Sequence, residues 1–539
     1  MNNDFSRPLA GFLDPITVTK AEIMEVRKGS GTALKSVASL GSVIITALEY
    51  DSRQVTQGSL YFALTGLHAD GHAFIHDAIS RGARAVVYQK EPEKYNEEVI
   101  YIRVKDSRFA MSPISDAFYD HPSRRMRIIG VTGTEGKSTT VYLIYQLLKL
   151  AGKKAGFIST VQQGDGLTEK WNSEHQTTPE APTVHRLLAI MLRNGAEYAV
   201  LESSSHGLSK KTNRLGDVDF DVGVMTNVTH EHLEFHGSWE QYRSDKAELF
   251  RSLDLSPTYH LKLGTEGKFP VPSFGVANAD DPSAAYFAAE TKHKTYTFST
   301  KGAIADLSLK LIESGASGNW YEVLSAPTGA MLNIRDLLPG SFNAGNVFAA
   351  LLVVSNLLSV EIGDLVPLVP YMRPVRGRMT TISRNQPFEV IVDYAHTPSS
   401  FETILPPLRE RLNSSGGRLI CLFGSAGERD TQKRKLQGEI AARYSDIIFL
   451  ADEDPRGEDP MTILEEIAQG IKNMIRNETL FLIPDRPKAI RKSFSLARSG
   501  DLVILLGKGH ENSIIYADGP ISYDEIYEAD NALKEMGFV

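Results

Sequence analysis

Cysteine is almost absent from this sequence of 539 residues, which contains only Cys421. A single cysteine excludes an intrachain disulfide and a multi-cysteine metal site, and such a composition is typical of the reducing cytosol. Cys421 lies in the apolar run 419–423, which favours a core residue over a reactive nucleophile. We therefore expect a cytoplasmic protein.

Long hydrophobic segments and an excess of positive charge are also missing. The longest apolar run, 347–358, is about 12 residues long and is interrupted by Ser355 and Asn356, whereas a bilayer-spanning helix needs ~20 residues. Residues 1–20 have neither the basic start nor the continuous apolar stretch of a secretory signal. The 58 Lys and Arg residues are outnumbered by 66 Asp and Glu residues, so the formal net charge is −8. We expect a monomer without membrane insertion and without a nucleic-acid partner.

Apolar strands alternate with helical stretches along the chain, which indicates an α/β protein with mostly parallel, doubly wound sheets. At roughly 100 to 200 residues per domain, the length predicts about three or four domains. We place a small α/β domain at residues 1–122, a central parallel-sheet domain at 123–372, and a Rossmann-like doubly wound domain at 373–539. A glycine-rich turn in the central domain, described below, indicates a P-loop ATPase-like sheet there. Residues 1–44 show little periodicity, so we assign no element there and expect partial mobility.

Polar or glycine residues follow several of the apolar strands at the point where each strand ends. In open α/β sheets ligands bind at the carboxyl ends of the strands, so these positions are functional candidates. They are Glu202, Thr226, Asn227, Asp393, Gly424, Asp452 and Gly507.

A glycine-rich turn between an apolar strand and a helix carries the clearest chemistry. The segment Gly133-Thr134-Glu135-Gly136-Lys137-Ser138-Thr139 places backbone N–H groups, a helix N-terminus and an ammonium group where phosphate oxygens would sit. The Ser138 hydroxyl is suited to bind Mg²⁺, which prefers oxygen ligands, and beside such a loop Glu202 and His232 become metal candidates. Val131 stands where the strict Walker pattern has glycine, so that pattern is missed by one residue.

Together these residues resemble the Mur ligase family, and within it the branch of UDP-N-acetylmuramoyl-tripeptide synthetases (MurE). The similarity extends from about Tyr50 to the C-terminus. The family has Asn where this chain has Glu135. The matching segments are 50–53, 66–72, 130–140, 177–180, 202–207, 227–237, 340–346, 377–379, 393–398, 424–430, 452–456 and 507–511.

The resemblance implies particular residues for each part of an active site. The implied catalytic residues are Lys137, Glu202, His232 and Lys246, and the implied metal ligands are Ser138, Glu202, His232 and a carbamylated Lys246. The implied ATP-binding residues are Gly133, Thr134, Glu135, Gly136, Lys137, Ser138, Thr139, Asn343, Arg378 and Asp393, with Asn346 beside the adenine. The implied contacts to the UDP-substrate are Ser52, Thr177, Thr178 and Ser205, and those to the amino acid are Arg429, Asp454, Arg456, Gly507 and Glu511.

The activity that the resemblance implies is an ATP- and Mg²⁺-dependent, ADP-forming amide ligase of peptidoglycan precursor synthesis. It would join a free diamino acid to UDP-N-acetylmuramoyl-L-alanyl-D-glutamate through an acyl phosphate. The N-terminal domain would bind the UDP-substrate, the central domain ATP and the C-terminal domain the amino acid. Carbamylation would turn the Lys246 cation into an anionic oxygen ligand for Mg²⁺.

The diamino acid stays open at this point. Diaminopimelate-adding relatives carry Asp-Asn-Pro-Arg, whereas this chain has Glu453-Asp454-Pro455-Arg456. Arg456 can hold a carboxylate through two hydrogen bonds, which favours meso-diaminopimelate. Asp454 adds an acid that would instead pair with the distal ammonium of L-lysine or L-ornithine.

Two other functions are compatible with parts of the sequence. A folylpolyglutamate synthetase-type ligase would share the phosphate loop, but the segment 52–72 and the residues around Arg456 argue against it. A catalytically inactive nucleotide-binding relative would explain Glu135, but the joint presence of Lys137, Glu202, His232 and Lys246 argues against loss of turnover.

Overall fold

The computed structural model describes residues 5–34, 40–66, 69–172, 176–229, 233–255, 272–315 and 318–539. They form two compact units that are taken in turn below. The first unit comprises Met1–Ser308, Ser325–Gly329 and Val347–Leu365, and the second comprises Leu309–Leu324, Ala330–Asn346 and Val366–Val539.

The strands are β1 (Arg7–Pro8), β2 (Ile23–Lys28), β3 (Ile44–Ile45), β4 (Ala47–Glu49), β5 (Ser59–Phe62), β6 (Ala85–Tyr88), β7 (Ile100–Val104), β8 (Arg127–Thr132), β9 (Ala155–Ile158), β10 (Gln162–Gly164), β11 (Glu169–Trp171), β12 (Tyr198–Glu202), β13 (Val222–Met225), β14 (Phe274–Asn278), β15 (Thr295–Ser299), β16 (Leu307–Gly315), β17 (Gly318–Ser325), β18 (Ala330–Asp336), β19 (Thr380–Ile382), β20 (Glu389–Asp393), β21 (Leu419–Phe423), β22 (Ile447–Leu450), β23 (Leu480–Leu482), β24 (Leu502–Leu506), β25 (Ser513–Tyr516) and β26 (Gly519–Ser522).

The α-helices are α1 (Pro15–Lys20), α2 (Ile75–Ser80), α3 (Ser107–Phe118), α4 (Lys137–Leu150), α5 (Ala181–Arg193), α6 (Ser205–Leu208), α7 (Leu233–His236), α8 (Trp239–Leu253), α9 (Ala284–Ala289), α10 (Asn343–Leu358), α11 (Ile362–Leu365), α12 (Pro398–Ser415), α13 (Gln432–Tyr444), α14 (Pro460–Ala468), α15 (Arg486–Leu496) and α16 (Glu525–Glu535).

The first unit begins with a small sheet of strand order β2-β7-β6-β5-β4. The pairs β4–β5, β5–β6 and β6–β7 are parallel, and β2 is antiparallel to β7. Alternate residues of β5 enter two cores: Leu60 and Phe62 pack with α3, while Tyr61 packs with α2. Helices on both faces bury β5 completely, which explains why every residue after Ser59 in this strand is apolar.

The central sheet of the first unit has the strand order β11-β10-β9-β12-β8-β13-β14-β15, and β16 pairs with the end of β15. Strand β8 lies between β12 and β13 and runs parallel to both. Its neighbour along the chain, α4, begins at Lys137 directly after the glycine-rich turn. Strands β9, β12, β8, β13, β14 and β15 are parallel, as the alternation of strands and helices predicts, whereas β10 runs antiparallel to both β9 and β11. The parallel part is the sheet expected of a P-loop ATPase-like domain.

The second unit contains most of β16 and β17 together with β18, side by side in that order, and a further sheet of order β19-β20-β24-β21-β22-β23. The latter is parallel except for β19. Ile420 and Leu422 pack with α15 and α16 on one face, and Cys421 packs with α12 to α14 on the other. The doubly wound fold and the core position of Cys421 are therefore confirmed, and burial raises the pKa of this thiol to about 12.

Residues 1–44 correct one expectation, because elements form in a stretch where the sequence indicated none. Helix α1 begins after Asp14, whose carboxylate accepts a 2.7 Å hydrogen bond from the Thr17 N–H, with Pro15 in the first turn. Strand β2 is an edge strand in which only Val26 is buried, so it lacks the apolar run that marks a central strand. Its register comes from pairing with β7, about which the local sequence carries no information.

Among the described residues no single helix is both long and apolar enough to cross a membrane. Helix α10 followed by 362–371 meets the length and composition requirement only as a pair, bent by 114°.

Candidate active site

Three parallel strands bring the predicted phosphate loop and its polar neighbours to one edge of the central sheet. The last residue of β12, Glu202, pairs with Val131 of β8, and Met225 at the end of β13 pairs with Thr132. The residues that follow β8 and β13 therefore emerge next to Glu202. This is the edge at which open α/β sheets bind ligands.

The turn between β8 and α4 is hydrogen-bonded to the residues that follow β13. The side-chain carbonyl of Asn227 accepts hydrogen bonds from the N–H groups of Thr134 (3.2 Å) and Glu135 (2.8 Å). Gly133 has φ +148°, and a Cβ there would lie 1.9 Å from the Thr226 hydroxyl oxygen. Only glycine fits this position without a clash, which explains the residue type.

The helix that starts at this turn has no side-chain cap. Gly136, with φ +82°, is the N-cap of α4 and brings no oxygen of its own to the first N–H groups. Lys137 folds back and donates a 2.7 Å hydrogen bond to the carbonyl of Thr134, and Thr139 lies half-buried in the first turn. Uncapped N–H groups and a lysine at a helix N-terminus are suited to bind phosphate.

Ser138 and Glu202 are hydrogen-bonded to each other beside this turn, and both side chains carry oxygen atoms that can bind a metal ion. The Ser138 hydroxyl donates to the Glu202 carboxylate at 2.9 and 3.0 Å, and the Thr160 N–H donates to the same carboxylate at 2.8 Å. Both side chains are almost fully buried. A hydroxyl and a carboxylate in this arrangement fit Mg²⁺, which prefers oxygen ligands and retains several waters.

One face of α8 brings three side chains to the same region. Lys246 is 2% exposed and donates a 2.5 Å hydrogen bond to the carbonyl of Gly133. Lys246 Nζ lies over the ring of Tyr242, 4.5 Å from the ring centre. The Tyr242 hydroxyl oxygen is 3.0 Å from the Thr134 hydroxyl oxygen. The structure thus brings Lys246 to the phosphate loop, while His232 lies outside the described residues.

The third side chain of that face, Asp245, belongs to a buried chain of hydrogen bonds. Its carboxylate faces Nδ1 of His236 at 2.6 Å, and Nε2 of His236 faces the Ser205 hydroxyl at 3.1 Å. Burial acts to raise the pKa of Asp245, but hydrogen bonds from His236 and Gln241 outweigh it and lower the pKa below its ordinary value. Ser205, a predicted substrate contact, is therefore tied to α8.

The predicted UDP-substrate contacts Thr177 and Thr178 lie beside an excess of positive charge. Arg214 donates to the Thr178 carbonyl at 2.8 Å and to the Glu180 carboxylate at 2.9 Å, and Arg108 donates to the same oxygen of Glu180 at 2.9 Å. Two guanidinium groups share one carboxylate, which favours an anionic ligand nearby.

Ser52 lies in the small N-terminal sheet region of the first unit. It begins a single-turn 3₁₀ helix, Ser52–Gln54, and is buried.

The remaining ATP-binding candidates belong to the second unit. Asp393 ends β20, and its carboxylate accepts hydrogen bonds from the N–H groups of Met379 and Ala395, both at 2.7 Å. The Arg378 guanidinium lies 4.7 Å from the centre of the Tyr394 ring. Asn343 is buried at the start of α10 and donates to the Pro339 carbonyl at 2.8 Å.

Two of the predicted amino-acid contacts meet at one buried cation. Lys508, which has no exposed surface, forms ion pairs with Asp454 (2.9 Å) and Glu511 (2.5 Å). Burial acts to lower the pKa of Lys508, but the two carboxylates outweigh it and raise the pKa above its ordinary value. Gly507, with φ +102°, turns the chain from β24 into this cluster.

The other two predicted contacts differ in their surroundings. Arg456 is half-buried with φ +54°, and its N–H donates to the Ile515 carbonyl at 2.9 Å. Its guanidinium forms no ion pair within the described part of the chain. Arg429 is exposed, and the structure does not bring it into the Lys508 cluster.

Several buried polar atoms around this cluster have no hydrogen-bond partner among the described residues. Burial also raises the pKa of Glu453, and it raises the pKa of Asp452 to about 6. Because unpaired buried polar atoms are costly, their concentration here indicates the site of a polar ligand. They are Ser425 Oγ, Asp452 Oδ1, Glu453 Oε2, Arg456 Nε and Ser513 Oγ.

Sequence reasoning missed several of these residues. Lys508 stands between two glycines directly after an apolar strand, a pattern that could have singled it out. Arg486 has no such signal, yet it is fully buried and donates to the carbonyls of Asp452 (3.1 Å) and Leu506 (2.7 Å) while paired with Glu525. His236, Asp245 and Arg214 likewise become visible only through their contacts.

Comparison with known proteins agrees with this arrangement of sheets and loops. Residues 44–119 match the "Mur ligase family, catalytic domain", residues 131–354 the "Mur ligase middle domain", and residues 377–509 the "Mur ligase, glutamate ligase domain". The chain belongs to the Mur ligase family of ATP-dependent ligases.

The similarity to individual members extends over nearly the whole chain. The UDP-N-acetylmuramyl-tripeptide synthetase of Treponema denticola is 49% identical, over 89% of this chain and 92% of that protein. The UDP-N-acetylmuramoyl-L-alanyl-D-glutamate--2,6-diaminopimelate ligase of Geobacillus thermodenitrificans is 38% identical, over 92% and 96%. A solved structure of a ligase of the latter name is 26% identical with a TM-score of 0.58, covering 93% of this chain and 97% of that one.

Proposed function

We propose that this chain uses ATP to add a diamino acid to UDP-N-acetylmuramoyl-L-alanyl-D-glutamate in the cytoplasm. The observation that carries the proposal is the juxtaposition of the uncapped phosphate loop, the Ser138–Glu202 oxygen pair and buried Lys246 at one sheet edge. The names of the full-length relatives support the same reaction. We keep the domain boundaries at 122 and 372 as part of this proposal, with the UDP-substrate, ATP and the amino acid assigned to successive domains.

In this proposal the D-glutamyl carboxylate attacks the γ-phosphate of ATP, which gives an acyl phosphate and ADP. The free amine of the diamino acid then attacks the acyl carbon, and phosphate leaves as the amide forms. Lys137 neutralises charge on the phosphates, and the N–H groups of the first turn of α4 orient them. Arg214, beside Thr178, is suited to hold a substrate carboxylate.

Mg²⁺ would be held by Ser138, Glu202, His232 and carbamylated Lys246, and it would supply charge neutralisation for the transferred phosphoryl group. The described part of the site supports this because Lys246 already reaches the loop carbonyl of Gly133. A carbamate on its Nζ would add two oxygen atoms at the same place. The chain's own task is then to position the reactants and exclude water from the acyl phosphate.

Two features of the amino-acid cluster favour different substrates. The Arg456 guanidinium, without an acidic partner among the described residues, favours the second carboxylate of meso-diaminopimelate. The three acids Glu453, Asp454 and Glu511 outnumber the two lysines that act on them, Lys508 and Lys433, and this negative excess favours the distal ammonium of L-lysine or L-ornithine. Turnover measurements decide between them.

The test is phosphate release with ATP, Mg²⁺ and UDP-N-acetylmuramoyl-L-alanyl-D-glutamate, with each of the three amino acids in a separate reaction. Each product is identified by mass. We expect turnover that requires the UDP-substrate and a mass increase equal to one amino acid less water.

Two further reactions complete the design. A reaction with a reduced folate and glutamate in place of both substrates should be silent, and turnover there would favour the folylpolyglutamate reaction instead. Absence of turnover with all three diamino acids, in folded protein that binds ATP, would refute the proposal.

A further inference from the structure

The hydrogen bonds between Ser205, His236 and Asp245 form a continuous relay inside the first unit. All three residues are at most 5% exposed. The relay joins the start of α6 to the middle of α8 through the last residue of α7. The ring of His236 also packs against Tyr242, with ring centres 5.1 Å apart, so its orientation is set by contacts on several sides.

The direction of each hydrogen bond follows from the chemistry of the end groups. The Asp245 carboxylate only accepts: Oδ1 takes the side-chain N–H of Gln241 at 2.9 Å, and Oδ2 faces Nδ1 of His236. Nδ1 must therefore carry the hydrogen, and in the neutral ring Nε2 keeps a lone pair. That lone pair accepts the hydroxyl hydrogen of Ser205. The Ser205 oxygen then has only its lone pairs left, so it can accept a hydrogen bond from a ligand but cannot donate one.

We propose that His236, held by Asp245, is a positioning residue that fixes the Ser205 hydroxyl as a hydrogen-bond acceptor. The group it would recognise is an amide N–H of the peptide part of the UDP-substrate, because a carboxylate cannot donate to an oxygen lone pair. This inference rests on the proposed function. It assigns His236 and Asp245 to substrate binding without contact between either residue and the substrate.

A double-mutant cycle tests whether His236 acts through Ser205. His236→Phe is made in the wild-type protein and in Ser205→Ala, and kcat and KM for the UDP-substrate are measured in all four proteins. In the wild-type background we expect a loss of about tenfold in kcat/KM, the order of one hydrogen bond to a substrate, mostly as a higher KM. In the Ser205→Ala background the same substitution should change kcat/KM by less than about twofold, because its target is gone.

Two matched variants separate positioning from general damage. His236→Gln retains an amide oxygen that can accept the Ser205 hydrogen, so it should recover most of the loss. His185, another histidine of the first unit with no exposed surface, is the control. His185→Phe should change kcat/KM by the same factor in both backgrounds. An equal loss from His236→Phe in both backgrounds would show a structural role only and overturn the proposal.

A second readout needs no turnover and therefore separates this inference from the proposed function. In ¹⁵N-histidine-labelled protein, the ring nitrogens of His236 should report a hydrogen on Nδ1 and none on Nε2, and Asp245→Asn should change that pattern. A hydrogen on Nε2 in the wild-type protein would overturn the inference even if the ligase reaction is confirmed. A silent ligase assay with the expected pattern would instead refute the proposed function and the ligand assigned to Ser205, while the direction of the hydrogen bonds would stand.

Discussion

At the residue scale, Lys246 shows how burial changes the meaning of a common side chain. Along the sequence it reads as a helix lysine exposed to solvent, yet the fold leaves it 2% exposed and directs its ammonium to the loop carbonyl of Gly133. A lysine without solvent is costly unless a specific partner or a chemical change compensates for it. Both its hydrogen bond and its proposed carbamylation meet that requirement.

Lys246→Ala should remove the proposed Mg²⁺ ligand and lower kcat by about 10²-fold or more, the order seen when one charge-stabilising group is lost. The measurement is steady-state phosphate release, with circular dichroism and thermal unfolding to verify the fold. Lys210→Ala is the control, because that side chain is 79% exposed and pairs only at the surface with Glu248. A fully active Lys246→Ala protein would remove Lys246 from the mechanism.

Arg456→Ala should weaken binding of the amino acid and leave binding of ATP and of the UDP-substrate unchanged. If meso-diaminopimelate is the substrate, its KM should rise by about 10- to 100-fold, because a carboxylate loses two charge-assisted hydrogen bonds. The KM values for ATP and the UDP-substrate should stay within about twofold. Arg476→Ala is the control, since Arg476 forms an exposed pair with Glu465. Unchanged kinetics would argue for a substrate that has no second carboxylate.

Glu49 gives a prediction about pH and stability. Burial raises its pKa from 4.5 to about 7, against the opposing effect of nearby Arg186. The folded protein thus keeps this proton until about pH 7, whereas the unfolded chain releases it near 4.5, so the wild-type protein loses stability as pH rises across that window. Glu49→Gln does not titrate and should gain stability relative to the wild type between those pH values.

The measurement for Glu49 is thermal unfolding of both proteins from pH 4.5 to 8. The unfolding midpoint of Glu49→Gln relative to that of the wild type should rise up to about pH 7 and stay constant above it. Glu98→Gln is the control, because the Glu98 side chain is 83% exposed. Parallel curves throughout would show that Glu49 titrates normally in the folded protein.

At the element scale, the turn between β8 and α4 depends on glycine for two separate reasons. Gly133 needs both a φ of +148° and the absence of a Cβ, since that atom would meet Thr226 at 1.9 Å. Gly152, just after α4, needs only its φ of +77°, because nothing lies within 4 Å of a Cβ there. An alanine at Gly152 would therefore meet only backbone strain, whereas an alanine at Gly133 would meet both backbone strain and a steric clash.

Gly133→Ala should weaken binding of a non-hydrolysable ATP analogue by about tenfold or more, because the loop must shift to relieve the clash. Gly152→Ala should cost about 1 to 2 kcal/mol of stability, because alanine is strained at positive φ, and it should leave that affinity unchanged. Isothermal titration calorimetry measures the affinity, and thermal unfolding measures the stability. Equal affinity in the Gly133→Ala protein would show that the loop conformation is not needed for the nucleotide.

The elements also show the limits of local patterns. Fully buried strands such as β5, β21 and β24 were predictable, because both faces are covered and their residues, apart from Ser59 at the start of β5, are apolar. Strand β2 was not predictable, because an edge strand with one buried residue depends on its partner β7. The hydrophobic periodicity of a sequence reflects how much of an element is buried. At a sheet edge, however, burial depends on how neighbouring elements pack, which the local sequence does not show.

At the scale of the whole molecule, each compact unit has hydrophobic cores of its own. All predicted UDP-substrate contacts, namely Ser52, Thr177, Thr178 and Ser205, belong to the first unit. The sole cysteine, Cys421, is fully buried in the second unit. Thiol labelling therefore reports on unfolding of the second unit alone.

Saturating UDP-substrate should raise the unfolding temperature of the first unit, because a ligand that binds only the folded state stabilises it by mass action. At 100 times its Kd the gain is about 2.7 kcal/mol. Calorimetry should show the shift, while the temperature at which Cys421 becomes labelled should move less. Equal shifts in both signals would indicate that the two units unfold as one.

The sequence by itself determined the class of fold, the phosphate loop and the polar residues at the strand ends. These features are local: a strand, a tight turn and a helix start are encoded within about a dozen neighbouring residues. Only the tertiary structure decided the partners of those residues. The Gly133–Lys246 bond spans 113 positions, the Asp454–Lys508 pair 54, and the Ser205–His236 bond 31. Such contacts arise from packing between elements, so no local pattern contains them.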